Sequence, residues 1–113
     1  MNDLILDTVK DNIAGGSVHE HFNNQLINDI NTVIMELQQI GVGSSDSFIL
    51  IDGTETWSDY LGEDTKLLGF IPTLVSLKTR MLFDPPSGSL ADEINKQIDR
   101  LEWRVNSYYE TGI

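Results

Sequence analysis

His19, Glu20 and His21 are the residues of this sequence whose types could bind a metal ion. Two histidines at positions i and i+2 point to different faces of a helix, whereas a helical zinc site uses the i, i+4 spacing. The sequence marks no third ligand close to them. We therefore predict that these residues lie on the surface near the start of a helix and bind no metal.

Other short segments also lack the residues that their chemistry would need. Asp52-Gly53-Thr54-Glu55 resembles a calcium loop, but the acidic ligands before the glycine and the closing glutamate are out of place. Gly41-Val42-Gly43 lacks the strand and the third glycine of a nucleotide-binding loop. Ser44-Ser45 and Ser87-Gly88-Ser89 have no base near them in sequence, although a Ser–His pair formed across the fold stays open. The sequence requires neither catalysis nor a cofactor.

Composition narrows the class of protein further. The chain has 113 residues and no cysteine, and its 18 acidic and 7 basic side chains give a net charge of -11. This length predicts one domain spanning residues 1–113. The longest apolar runs, such as residues 48–51, are far below the ~20 residues that span a bilayer. So acidic a chain is not expected to grip the phosphate backbone of DNA.

The negative charge is concentrated in the first part of the chain. Residues 1–65 hold 12 acidic side chains and one basic side chain, Lys10, whereas residues 66–113 hold six of each sign. One interpretation is a solvated surface that keeps the protein soluble. The other is an electrostatic polarity that a partner uses.

Hydrophobic periodicity predicts an all-α fold, a small bundle of about four helices. The second helix could begin at Ser17, which has capping-box spacing to Glu20, or at Asn23 or Asn24. Pro72 is expected in the first turn of the third helix, where its missing N–H costs nothing. The predicted helices cover residues 3–14, residues from 17 or 23 to 40, residues from about 72 to 83, and residues 89 to about 108.

A long connection over residues 44–66 separates the second and third helices. A short hairpin in residues 48–57 is one alternative, because Asp52-Gly53 suits a tight turn. The other is an extended segment followed by a short helix that Thr56 caps, with Asp59 three residues on. We favour the helix, because Trp57 and Tyr60 then fall on one side of it, and we expect this connection to be a contact element.

Trp103 does not belong to the apolar stripe of the last helix. At about 100° per residue, its side chain projects opposite that stripe, among charged residues. The ring is either half-exposed against a neighbouring loop or part of a contact with a subunit or partner. The three arginines, Arg80, Arg100 and Arg104, are expected to pair with acidic residues across helices.

Several of these segments, in this order, resemble the small head–tail connector proteins of tailed bacteriophages. The resemblance covers most of the chain, and its specific parts are Phe83-Asp84-Pro85-Pro86 and Glu102-Trp103-Arg104-Val105-Asn106. The entry to the third helix, Gly69-Phe70-Ile71-Pro72, departs from the pattern of the family. The other matching segments are Val9-Lys10-x-x-Ile13, Asp29-Ile30-Asn31, Leu37 to Gly43, Glu55 to Asp59, Leu77 to Leu82 and Gln97-Ile98-x-x-Leu101.

The resemblance implies a protomer that assembles into a homo-oligomeric ring of about twelve copies between portal and tail. Such a ring extends the DNA channel and seats the next neck or tail protein, and DNA is only its passing cargo. The family has no enzymatic activity, cofactor or membrane contact. The implied location is the neck of the virion, and the host cytoplasm during assembly.

Two sets of site residues follow as hypotheses. Acidic side chains of the first 65 residues would face the channel, so that DNA slides past like charge. Aromatic and basic side chains would build contacts between subunits. The channel candidates are Asp46, Asp52, Glu55, Asp59, Glu63 and Asp64, and the interface candidates are Trp57, Tyr60, Arg80, Arg100, Trp103 and Arg104.

Two other classes of function compete with the connector. An acidic inhibitor or DNA mimic would be a monomer or dimer, and its binding to a basic site would fall steeply with salt. A small metal-dependent hydrolase would need a bound ion and a cluster of ligands. We rank the connector first because of the resemblance.

Overall fold

The computed structural model of the chain describes residues 3–13, 20–43 and 48–111, with side chains described as far as Tyr109 in the last helix. Helices dominate these residues, which confirms the predicted all-α fold. A 3-10 turn at Glu20–Phe22 precedes the second helix. The α-helices are α1 at Ile5–Asn12, α2 at Asn23–Gln39, α3 at Trp57–Leu61, α4 at Thr65–Phe83 and α5 at Gly88–Thr111.

Helix α4 is the centre of the bundle and packs against α1, α2, α3 and α5. Its residues Ile71, Leu74 and Val75 are fully buried, as are Ile30 of α2 and Val9 of α1. One apolar cluster joins buried side chains of all five α-helices. The core is therefore built around α4, and α5 lies on its outer side through Ile94, Ile98 and Val105.

The start of α4 differs from the prediction. Pro72 lies inside the helix, not in its first turn. The helix begins instead at Thr65, because the Asp64 carboxylate accepts hydrogen bonds from the backbone N–H groups of Lys66 (3.0 Å) and Leu67 (3.1 Å). An interior proline removes one backbone hydrogen bond, and burial of the apolar face of α4 outweighs that loss.

The alternative of a hairpin in residues 48–57 is wrong, because the residues that the structure describes contain no strand. A side chain, and not a partner strand, accepts hydrogen bonds from the backbone N–H groups that a hairpin would pair. The Glu55 carboxylate accepts from the N–H groups of Ile51 (2.8 Å) and Gly53 (3.0 Å). The short helix α3 that we favoured is present, and Thr56 and Asp59 form a reciprocal capping box at its start.

The boundaries of α2 and α5 agree with the periodicity within a few residues. Helix α2 begins at Asn23, one of the predicted starts, whereas Ser17 lies outside the described residues. Helix α5 begins at Gly88, beside the predicted Ser89. None of the helices in the described part of the chain is long and apolar enough to cross a membrane.

Candidate functional site

A groove of about 340 Å³ opens between α2, α4 and α5. Its apolar lining comes from one or two residues of each helix, and it includes Leu82, which is half exposed at 50%. Of the apolar lining residues, Val33 belongs to α2, Met81 and Leu82 belong to α4, and Ile98 belongs to α5. The accessible apolar surface comes mainly from Met81 and Leu82, because Val33 and Ile98 are buried. A volume of this size is typical of a site that a side chain or a small ligand can enter.

Charged side chains edge this groove. The Lys78 ammonium lies 2.9 Å from Oε2 of Glu102 and 3.5 Å from Oε1 of Glu36, so it bridges α5 and α2. Asp99 adds a third carboxylate to the lining. Three carboxylates against one ammonium leave the groove with a net negative charge, which favours a cationic occupant.

The outer face of α5 carries the most exposed aromatic ring among the large hydrophobic side chains of the described residues. Trp103 is 69% exposed, so no neighbouring loop covers its ring. Arg100 and Arg104 are exposed on the same helix. The predicted ion pairs of these arginines are wrong within the described part of the chain, because their face of α5 points away from the other helices.

Two of the interface candidates are buried within the protomer. Trp57 is 6% exposed, and its indole Nε1–H donates a 3.0 Å hydrogen bond to Oγ1 of Thr8. Tyr60 is 1% exposed, and its ring stacks on Phe48 with centroids 5.2 Å apart. These rings fasten α3 and the connection before it to the core, so little of either side chain is available to another subunit.

Arg80 is half buried in α4. Its Nε has no hydrogen-bond partner among the residues that the structure describes, and no described carboxylate lies within ion-pair distance of it. The cross-helix pairing predicted for Arg80 is therefore also wrong for this part of the chain. The role of bridging helices belongs instead to Lys78.

The acidic channel candidates divide into two groups. Asp52, Asp59 and Glu63 are exposed. Glu55 and Asp64 are partly buried and accept backbone hydrogen bonds that hold the loop before α3 and the start of α4. Asp46, the remaining candidate, lies outside the described residues.

Hydrogen bonds lower the pKa of two of these carboxyl groups. The side chain and backbone N–H of Thr54 donate to Oδ1 of Asp52, at 2.6 and 3.0 Å, and lower the Asp52 pKa. The Tyr108 hydroxyl, then the backbone N–H of Leu67, lower the Asp64 pKa in the same way. Both groups are carboxylates at neutral pH.

The connection before α3 is held against α2 by a pair of hydrogen bonds that sequence reasoning missed. Asn31 Nδ2 donates to the carbonyl oxygen of Leu50 (3.0 Å), and Asn31 Oδ1 accepts from the Leu50 N–H (2.7 Å). The side-chain amide of Asn31 thus bonds to the Leu50 backbone as the backbone of a neighbouring strand would. Leu50 is buried, whereas Ile49 and Ile51 on either side are 49% and 77% exposed.

The metal interpretation has no support in the described residues, which contain no group of three or more histidine or acidic side chains able to hold an ion. His21 is exposed, and its ring lies 4.1 Å from the ring of Phe22. His19 lies outside the described residues. His21 is therefore placed as a surface residue beside α2.

The groove could not have been found from sequence spacing. Lys78 and Glu102 are 24 residues apart, and Glu36 belongs to a third helix. The one sequence signal was the amphipathic pattern of α2, α4 and α5, which predicts that the helices pack but not how their flanks meet.

Comparisons with known proteins agree with the resemblance seen in the sequence. The model of the phage connector protein family matches residues 5–112, nearly the whole chain. Searches of curated proteins and of solved structures gave no match. The family description indicates a structural role in the neck of a phage particle. A helical bundle with an open groove and an exposed aromatic helix face is compatible with that role, and the chain belongs to the phage connector protein family.

Proposed function

We propose that copies of this chain form a ring between the portal and the tail, where the ring extends the DNA channel and seats the next neck or tail protein. The family match over residues 5–112 carries this proposal. The resemblance adds a copy number of about twelve, in keeping with the closed symmetry of most homo-oligomers. The role is structural, without catalysis, cofactor or membrane contact. The protein acts in the virion neck after assembly in the host cytoplasm.

Exposed apolar side chains support an assembling protein. Large hydrophobic residues are usually scattered singly on a monomer, and concentrated ones mark interaction sites. Five of the nine exposed large hydrophobic side chains in the described residues lie on α5 or on the connection before α3, and the other four lie on or next to α2 and on α4. They include Trp103 at 69%, Ile51 at 77% and Ile49 at 49%.

The distribution of charge supports a channel role for part of the surface. The exposed acids Asp52, Asp59 and Glu63 lie in or next to α3, and the net charge of the chain is -11. A ring repeats such a patch with every copy, and like charge prevents DNA from adhering to the wall. We therefore assign these exposed acids to the channel or its mouth.

Light scattering of the purified chain, alone and mixed with the portal protein of the same phage, tests the proposal. A ring former gives either a large species on its own or a complex with the portal whose mass requires many copies. An acidic inhibitor would remain a monomer or dimer, and its binding to a basic protein would weaken steeply with salt. A chain that stays monomeric and ignores the portal at every concentration would contradict the proposed ring.

A further inference from the structure

The exposed side of α2 is almost free of charge. Seven residues of α2 are exposed and only Glu36 among them is charged, whereas six of the fourteen exposed residues described in α5 are charged. At about 100° per residue, the other six exposed residues of α2 fall within an arc of about 100° around the helix. They form a surface that we name the uncharged face: Asn24, Gln25, Asn28, Thr32, Met35 and Gln39.

The two charged residues of α2 lie beyond one edge of the uncharged face. The Glu36 carboxylate lies 3.5 Å from the Lys78 ammonium of α4, so its charge is directed towards the bundle. Asp29 is half-buried on the same flank of the helix. The surface of a soluble protein normally carries charged side chains of both signs, so an uncharged helix face on an acidic chain is unusual.

The uncharged face continues onto the connection before α3. Asn31, one turn before Met35 on α2, bonds to both backbone groups of Leu50 and so holds this connection along the edge of the face. Ile49 and Ile51, on either side of Leu50, are exposed, as is Met35. Three exposed apolar side chains therefore border or belong to one surface, and the hydrogen bonds of the connection hold two of them in place.

The net charge of the chain indicates which partner such a surface suits. Each copy carries a net charge of -11, so two copies repel each other wherever their acidic surfaces approach. A basic partner would gain attraction by binding the acidic surfaces, whereas a partner of the same sign of charge requires a surface without charge. The cores of protein interfaces are depleted in charged residues and enriched in methionine. A second copy of this chain is such a like-charged partner.

We propose that the uncharged face of α2, together with Ile49 and Ile51, is a contact surface for a second copy of this chain. This inference rests on the proposed ring, for which it names one of the surfaces that meet. A ring needs two different surfaces on every copy, and the uncharged face supplies one of them.

Adding negative charge to this face tests the proposal. Gln25→Glu combined with Asn28→Asp changes two amides to carboxylates of nearly the same shape. We expect the concentration needed for assembly, measured by light scattering, to rise at least about tenfold at low salt. The loss should shrink as salt is added, because salt screens repulsion between the copies. Circular dichroism checks that the helix content of the protomer is unchanged.

Ser58→Asp combined with Thr73→Glu is the matched control, because it adds the same two charges at exposed positions of α3 and α4. We expect this pair to change the concentration needed for assembly less than about threefold. Equal losses for the two pairs would assign the effect to net charge in general, and would overturn the inference.

Photo-cross-linking identifies what covers the face. The chain has no cysteine of its own, so Asn28→Cys can carry a single benzophenone maleimide. If the free chain is monomeric, rings are assembled on the portal before irradiation. We expect an adduct with the mass of two copies of the chain, and far less of it from the exposed control position in Ser58→Cys.

The adduct also separates this contact from its alternatives. An adduct with the portal protein instead of a second copy would overturn the inference and assign the uncharged face to the portal. Rings that form without an adduct between copies would contradict this contact but not the ring. Chains that never assemble, alone or with the portal, would contradict the ring itself.

Discussion

The hydroxyl of Tyr108, near the end of α5, donates a hydrogen bond to the Asp64 carboxylate that caps the start of α4. The two residues are 44 positions apart. This bond joins the two longest helices of the bundle beyond Val105, the last buried residue described in α5, where the Tyr108 ring also packs edge-on against Phe70. The Asp64 side chain thus performs two tasks, because it also accepts from the N–H groups of Lys66 and Leu67.

This bond should make the stability of the end of α5 depend on pH. Hydrogen bonding from Tyr108 lowers the pKa of Asp64 below its ordinary 3.8 and raises the pKa of Tyr108 above its ordinary 10.0. A lowered carboxyl pKa stabilises the fold above pH 3.8, and that stability is lost as the pH falls further. A raised phenol pKa stabilises the fold below pH 10.0, and that stability is lost as the pH rises through the folded value.

We therefore expect Tyr108→Phe to lower the midpoint temperature of thermal unfolding at pH 7. The difference in midpoint between this variant and the wild type should shrink below pH 3.8 and above pH 10. Thermal unfolding followed by circular dichroism across this range measures it. Tyr109→Phe is the control, since the Tyr109 hydroxyl bonds to the backbone of Gly43 and the bond to Asp64 comes from Tyr108. A constant difference between wild type and Tyr108→Phe at every pH would show that the bond does not matter.

Thr8 should matter to stability through the indole of Trp57. Its Oγ1 accepts the Trp57 Nε1–H at 3.0 Å and donates to the Leu4 carbonyl at 3.0 Å. Thr8→Val keeps the shape of the side chain but leaves a buried N–H without a partner, so we expect a loss of about 1–3 kcal/mol in the free energy of unfolding. Denaturant titration measures this loss.

Thr8→Ser is the matched variant for this position, because it keeps the hydroxyl group and removes only the methyl group. We expect it to lose much less stability than Thr8→Val. Similar losses for the two variants would assign the effect to packing around the methyl group, and the hydrogen bond to Trp57 would then be dispensable.

Local patterns were sufficient to predict the helices but not where α4 begins. The stripes of α2 and α5 repeat with a period close to 3.6, and Thr56 and Asp59 have the spacing of a capping box, so these elements could be read from sequence. Pro72 was misleading, because proline favours the first helical turn only on average, and that preference does not fix where a particular helix begins. In the protein, burial of Ile71 and Leu74 on both sides of Pro72 holds the helix together.

The candidate site was less predictable than the fold. Exposure of Trp103 followed from its position on the helical wheel of α5. Burial of Trp57 did not, because nothing in its own segment shows that α1 covers it. The bridge from Lys78 to Glu36 and Glu102 depends on three helices packing at a particular angle, which sequence periodicity does not specify.

Replacing glycines by alanine should distinguish the free-energy cost of a left-handed backbone conformation from the cost of a steric clash. Gly69 lies inside α4, and a Cβ there would meet nothing within 4 Å, so Gly69→Ala should stabilise the protein by about 0.5–1 kcal/mol. Gly43 has a φ of 85°, and a Cβ there would lie 2.5 Å from the ring of Tyr60. We expect Gly43→Ala to destabilise the protein by more than about 2 kcal/mol, as measured by denaturant titration.

Gly41→Ala is the control for this pair. Its φ of 99° imposes a similar backbone cost, but a Cβ at this position meets nothing within 4 Å. It should therefore lose only about 1–2 kcal/mol. If Gly43→Ala lost no more than Gly41→Ala, contact with Tyr60 would not limit the approach of this loop to α3.

Trp103→Ala should weaken assembly and leave the protomer folded. The ring is 69% exposed, so its removal takes little from the core, whereas an interface tryptophan contributes about 2 kcal/mol or more to association. We expect unchanged helix content by circular dichroism and at least a tenfold rise in the concentration needed for assembly, measured by light scattering. Leu90→Ala in the first turn of α5, which removes a side chain that is 48% exposed, should change neither quantity. An unaltered oligomer would exclude Trp103 from the subunit contact.

Reversing charge at the proposed channel surface should make assembled rings retain DNA. The choice of positions matters, because Glu55, Asp59 and Asp64 accept backbone hydrogen bonds and their replacement would disturb the fold. Asp52 and Glu63 are exposed and cap no helix, and the bonds that Asp52 accepts come only from Thr54, two residues on in the same loop. We expect rings of Asp52→Lys with Glu63→Lys to hold double-stranded DNA at low salt and to release it as salt rises, because lysine neutralises phosphates and displaces counterions.

The neutral pair Asp52→Asn with Glu63→Gln distinguishes attraction from loss of repulsion. Asparagine keeps an oxygen that can accept from Thr54, as Asp52 does now, so the loop before α3 should keep its shape. This pair should retain far less DNA than the lysine pair in a filter-binding or gel-shift measurement on rings of equal mass. If the lysine pair retained no more DNA than the wild type, residues 52 and 63 would lie away from the path of the genome, and the acidity of this surface would serve solubility alone.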